Sequence, residues 1–142
     1  NLPVGKIFIG DSGCYLYGFI IALLIVDIFG KLPEIHTWLA VLILIYPSFE
    51  VLFSFIRKKY FHKTKVTSPD SRHLHSLLYK FNCFLKIKNP NPLTTIQLFY
   101  LYLFPVLASV FLKDNLFFIF LAIGFFILCY LTAYIFLHKK NN

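Results

Sequence analysis

The sequence is short of charge, and of acidic charge above all. Six Asp or Glu stand against fourteen Lys or Arg, a net charge of +8, and charged residues make up only 14% of the 142. A soluble domain carries roughly a quarter charged residues, so a surface wetted all round is excluded. Apolar residues reach 58% and aromatic ones 20%, which demands lipid as the solvent for much of the chain. Methionine is absent and Asn1 comes first. The sequence therefore reads as the C-terminal part of a longer chain, with proteolytic processing as the alternative. Asn1 to Phe8 lack the charged start and small-residue cleavage site of a signal peptide. Cys14, Cys83 and Cys129 are odd in number and hold no C-x-x-C pair, so neither a disulfide framework nor a zinc site is indicated. They are expected to act as small packing hydrophobes.

What is present is an all-α, polytopic pattern. Crossing about 30 Å of hydrocarbon takes roughly 20 apolar residues in a helix. Four stretches approach this, near residues 12–29, 37–56, 93–112 and 116–137. The approach from Asn1 to Gly13 reads as a loop, with Gly5, Gly10 and Gly13 allowing close backbone contact with a ligand. Pro47 should kink the second span and Pro105 lies inside the third. Glu50, inside the second span, is by default a functional candidate. The plainer alternative is a glutamate near the water edge, protonated or reaching out through the kink. Lys113-Asp114-Asn115 reads as a tight turn.

The segment 57–92 is the long polar stretch. It carries Arg57, Lys58, Lys59, Lys63, Lys65, Arg72, Lys80, Lys86 and Lys88 against Asp70 alone. With four spans, the start, this loop and the tail His138-Lys139-Lys140 share one side, and the excess of Lys and Arg makes that side cytoplasmic. A cationic loop also suits anionic head groups. Nucleic acid is not an expected partner, since no soluble face interleaves aromatics with these cations. Leu74, Leu77, Leu78, Phe81 and Leu85 recur at helical spacing, so an amphipathic helix is expected along the cytoplasmic interface. Asp70 is its expected N-cap, which places His73 in the first turn, where free N–H groups favour anions.

Two stretches carry chemistry. Gly5 to Ser12 has the glycine spacing of a P-loop, but Asp11 stands where that motif needs lysine. A carboxylate there suits a hard cation such as Mg²⁺ instead. His73 and His75 lie two apart and do not share a helix face; they converge only if the first turn is irregular or extended. Imidazole is a poor ligand for Mg²⁺, which favours phosphate or sugar contacts, the alternative being ordinary interface histidines.

These residues resemble a known family. Asn1-Leu2-Pro3 followed by Gly5 to Gly13 is similar to the Gly-Asp-(Ser/Ala)-Gly segment of the polyprenyl-phosphate N-acetylhexosamine-1-phosphate transferases. Pro47 to Lys58, then Ser68-Pro69-Asp70 and His73-Leu74-His75, resembles that family's Pro-x-x-(Asp/Glu), Arg-Arg and His-x-His-His run. Order and spacing agree from Asn1 to about Lys80, and the last two spans match in type. Two positions depart: Ser76 takes the place of a third histidine, and Arg72 directly precedes His73. The resemblance, closest to the N-acetylglucosamine branch, implies a multi-pass enzyme of the bacterial inner membrane with its active side cytoplasmic. It implies transfer of N-acetylglucosamine-1-phosphate from a UDP-sugar to undecaprenyl phosphate, releasing UMP. That is the first membrane step of a cell-surface polysaccharide, such as cell wall or lipopolysaccharide. It implies Mg²⁺, or Mn²⁺ in its place, on Asp11, which also serves catalysis. His73 and His75 would contact the nucleotide-sugar, and Arg72, Arg57 and Lys58 the phosphates. The alternative from another class is a truncated, non-catalytic membrane module binding anionic lipid through its loop. A channel or transporter has only Glu50 and the prolines in its favour.

Overall fold

The computed structural model describes residues 10–62 and 72–141, without the side chains of residues 61 and 62. Every described element is helical. In chain order they are α1 (Gly10–Lys31), α2 (Trp38–Ile43), α3 (Ile45–Ile56), a π-helical segment (Arg57–His62), α4 (Leu74–Phe84), α5 (Pro90–Leu112) and α6 (Leu116–Asn141). Among the described residues α1, α5 and α6 are long and apolar enough to cross a membrane.

Residues 1–9 of the loop expected at the start lie outside the described residues, and from Gly10 to Gly13 helix takes its place: α1 begins at Gly10, whose φ of 70° suits glycine, and Asp11 lies in its first turn. The expected span 12–29 is thus 10–31. None of its residues is buried. A helix apolar on every side needs lipid or other helices around it.

The expected span 37–56 forms as two helices, each shorter than a crossing. Pro47 has no N–H to give the Ile43 carbonyl, and its ring would press on that carbonyl. The chain breaks at Leu44 (φ −95°, ψ 12°), and Pro47 falls in the first turn of α3, where a missing N–H is harmless. Pro105, by contrast, is accommodated inside an unbroken α5.

The turn expected at 113–115 is present. Asn115 receives the Phe117 and Phe118 N–H groups on its Oδ1 at 3.0 and 3.4 Å and so caps α6. The amphipathic helix is also present, but its N-cap is His73, in extended conformation; Asp70 lies outside the described residues. Its apolar stripe is answered by protein: Leu74 and Leu77 are buried with Phe126, Tyr130, Tyr134 and Leu137 of α6 and Ile45 of α3. A Schellman motif closes α4, with Lys86 N–H on Cys83 O at 2.9 Å and Ile87 N–H on Asn82 O at 3.2 Å. Lys86 takes the left-handed position at φ 55°. Buried Asn82 then ties α4 to α5, donating to Thr94 Oγ1 at 2.9 Å and Gln97 Oε1 at 2.8 Å.

A second cluster, Leu39, Leu42, Ile119 and Ala122, joins α2 to the beginning of α6, with Phe29 of α1 and Leu112 of α5 against it. The bundle therefore has two ends. The apolar end gathers the α1–α2 connection and the α5–α6 turn. The other gathers the end of α3, the start of α4 and the basic end of α6. The cysteines do not all pack: Cys14 and Cys83 are exposed and Cys129 is half-buried.

Candidate functional site

The site lies at the basic end and is assembled from Glu50. This carboxylate is neither stranded in the span nor turned out to water; its side chain is 13% exposed. Its Oε1 faces His73 Nδ1 at 3.0 Å and accepts the Leu74 N–H at 3.1 Å. Its Oε2 accepts the Tyr130 hydroxyl at 2.6 Å. Donors from α4 and α6 thus meet on a single acid of α3. The Leu74 N–H is one of the orphan donors of a helix start, so Glu50 caps α4 from another element.

Two turns further along, Arg57 repeats the arrangement with the opposite charge. It opens the π-helical segment, a form that often marks functional positions, and is 5% exposed. Its guanidinium donates to the Arg72 carbonyl and the Tyr134 hydroxyl, with Ser54 Oγ at 3.5 Å. It also lies over the Tyr134 ring, 5.4 Å from the centroid. Glu50 and Arg57 therefore hold the entry to α4 by successive residues, each backed by one tyrosine of α6. Phe49 and Phe53 meet the Tyr130 ring edge to face at 5.0 and 5.6 Å, which stiffens the hydroxyl that reaches Glu50.

The two tyrosines escaped the sequence reading, although a signal was there. Tyr130, Tyr134 and His138 recur every fourth residue in an otherwise apolar helix, and such a line of polar atoms on one face needs partners on a neighbouring helix.

His73 and His75 do converge, by the route the i, i+2 spacing required. Because His73 is extended at the N-cap, its ring stacks on that of His75 at 5.5 Å and 10°. Partial burial lowers the His75 imidazole below its ordinary 6.5; the neighbouring His73 lowers it further, and Glu50 opposes both more weakly. His75 then borders a groove of about 520 Å³ between α4 and α5, with Ser76, Tyr79, Lys80, Asn91 and Thr95 on its walls. A larger cavity of about 640 Å³, lined by Phe104, Leu112, Phe118 and Phe125, lies toward the apolar end and offers nothing polar to a phosphate.

The remaining candidates are placed less closely. Arg72 is exposed, and Lys58 is half-buried in the π-helical segment. Asp11 is exposed at the head of α1. Among the described residues no three His, Cys, Asp or Glu side chains gather as metal ligands. Mg²⁺ usually takes one or two carboxylates, with waters and substrate phosphates completing its shell. Asp11 suits that donor set. Glu50 does not, because both its oxygens already accept hydrogen bonds from protein.

No family model and no solved structure matches the chain. Two curated proteins do. The undecaprenyl-phosphate alpha-N-acetylglucosaminyl 1-phosphate transferase of Thermotoga maritima is 37% identical over 75 residues, which is 53% of this chain and 24% of that protein. The probable undecaprenyl-phosphate N-acetylglucosaminyl 1-phosphate transferase of Bacillus subtilis is 29% identical over 82 residues, 57% of this chain and 23% of that one. The matched stretch thus spans about a quarter of each relative. Over about half its own length, the chain is similar to two proteins named as undecaprenyl-phosphate N-acetylglucosaminyl 1-phosphate transferases.

Proposed function

We propose that this chain supplies part of the active site of an enzyme that moves N-acetylglucosamine-1-phosphate from a UDP-sugar to undecaprenyl phosphate, releasing UMP. The observation that carries the reading is the histidine-bearing, cationic end of the bundle, where Glu50, Arg57, His73 and His75 are assembled, in a chain 37% identical over 75 residues to one such transferase.

The α2–α3 pair serves as the remaining crossing, bent at Leu44. The described basic groups at the site end then face the cytoplasm of a bacterial inner membrane. Phe84 and Leu85, exposed at the end of α4, rest that helix on the lipid boundary. Helix α1 is about 33 Å long at 1.5 Å per residue, and its Phe29 end adjoins the apolar cluster. A single crossing therefore returns Asp11 to the side that holds His73.

Joining a lipid phosphate to a sugar diphosphate crowds negative charge, so catalysis is mostly positioning and neutralisation. Mg²⁺, or Mn²⁺, held by Asp11 would supply charge neutralisation on the donor diphosphate and ease the departure of UMP. His75 and the polar groove beside it contact the nucleotide-sugar. Arg72 and Lys58 meet phosphate oxygens, and His73 contacts the donor through the ring nitrogen that does not face Glu50. Arg57 steadies the Arg72 backbone and so aims that exposed guanidinium.

The experiment is exchange of labelled UMP into UDP-N-acetylglucosamine by membranes holding the full-length enzyme of which this chain supplies part. Wild type exchanges label, and Asp11→Asn abolishes exchange while inserting normally. Full exchange by Asp11→Asn removes Asp11 from the site. No exchange by wild type, together with salt-sensitive binding to anionic vesicles, favours the lipid-binding module.

A further inference from the structure

The acid at Glu50 has so far been given a place but no task. We infer that Glu50 is a positioning residue: its carboxylate sets the ring orientation and tautomer of His73 for the transfer reaction. The inference deepens the reading under Proposed function and rests on it.

An ionised carboxylate can only accept hydrogen bonds, so the ring nitrogen facing it carries the proton. Nδ1, at 3.0 Å from Oε1, is that nitrogen. Nε2 is left as the nitrogen that meets substrate, as acceptor in the neutral ring or as donor in the imidazolium. The orientation is held from several sides. Oε1 also accepts the Leu74 N–H, which fixes the carboxylate to the backbone next to the ring. Oε2 is fixed by Tyr130, itself buried and wedged by Phe49 and Phe53. His75, stacked on the outer face, limits rotation of the His73 ring. Mere capping of α4 would require only the Leu74 contact; the bond to Nδ1 is the one that addresses the imidazole.

Oε1 carries both the Leu74 and the Nδ1 contacts. In Glu50→Gln the amide oxygen in that place keeps both without the charge, and its NH₂ group meets the Tyr130 hydroxyl. Glu50→Leu removes both contacts. Tyr130→Phe removes only the Oε2 donor and leaves the contact with His73.

The test uses the full-length enzyme that contains this chain, in lipid nanodiscs with ¹⁵N-labelled histidine, the His73 signals being assigned by their loss in His73→Gln. At neutral pH wild-type Nδ1 is expected to carry a proton, as it is in Glu50→Gln, whereas Glu50→Leu is expected to release that preference so that the Nε2–H tautomer appears. In transfer assays Glu50→Leu is expected to lower kcat about 10- to 100-fold, the range for losing a carboxylate that orients an imidazole, with little change in KM for the UDP-sugar, and Glu50→Gln, which keeps the contact, is expected to lose less. Tyr130→Phe keeps the wild-type ring signature and loses less. A bare Nδ1 in the wild type overturns the inference whether or not any variant folds. So does an unchanged kcat in a Glu50→Leu protein whose ring signature has changed. A wild-type protein with the expected signature but neither transfer nor UMP exchange overturns the functional reading instead.

Discussion

Replacing Arg57 should loosen the entry to α4 by a measurable amount. Its guanidinium, 5% exposed, donates to the Arg72 carbonyl and the Tyr134 hydroxyl. Hydrogen bonds from a charged donor contribute about 1.5–3 kcal/mol each. Arg57→Ala removes both, and the stacking on Tyr134 with them, for an expected loss of about 3–5 kcal/mol. Arg57→Lys keeps the charge but not the fork, so one of the two bonds goes, at about 1.5–3 kcal/mol. The bond to Arg72 lies directly before His73, so the loss should be read locally, in hydrogen exchange of the α4 amides. At tenfold per about 1.4 kcal/mol, Arg57→Lys should speed exchange at Leu77 and Leu78 roughly 10- to 150-fold, and Arg57→Ala more. Exchange at the α5 amides around Val106, remote from the bond, should change far less. Wild-type exchange in α4 for both variants, in protein that still folds, would refute the claim that Arg57 anchors this helix.

Other outcomes follow from the same structure. Asn82→Leu should cost about 2 kcal/mol for two neutral hydrogen bonds, and Asn82→Asp more because it buries a charge among acceptors; denaturation in nanodiscs ranks them. Lys86→Val should destabilise α4 by about 1–2 kcal/mol, since a branched side chain is poorly suited to φ 55°, whereas Lys86→Gly should be tolerated in the same assay. His75 should titrate below its ordinary 6.5 by NMR. A folded-state value below the unfolded one gives stability present above pH 6.5 and lost as pH falls through the folded value. His75→Gln should therefore flatten the acid side of the stability curve, and an identical curve would contradict the lowering of that imidazole by its surroundings.

The membrane character and the three long helices were legible in composition and run length, because lipid requires each crossing to satisfy its own backbone bonds. That constraint is local, so α1, α5, α6 and the amphipathic stripe of α4 can be read residue by residue. Pro47 signalled a disturbance in the second stretch, but only the backbone showed that it comes three residues earlier, at Leu44, where the obstructed carbonyl lies just upstream. The histidine motif and its family likeness were visible too. Its convergence was not, because ring stacking at i, i+2 depends on an extended His73 that Glu50 of α3 and Arg57 of the π-helical segment secure.

The partners of Glu50 are a tertiary fact. Tyr130 is eighty residues away in the chain, and no periodicity within α3 names the helix that will face it. The chain by itself determined which segments leave water and which residue types could handle phosphate. Packing of α6 against α3 and α4 decided that one buried acid is shared between an imidazole, a helix start and a tyrosine. Hydrogen-bond partners of a buried charge are set by which surfaces meet, and that is a property of the assembled bundle.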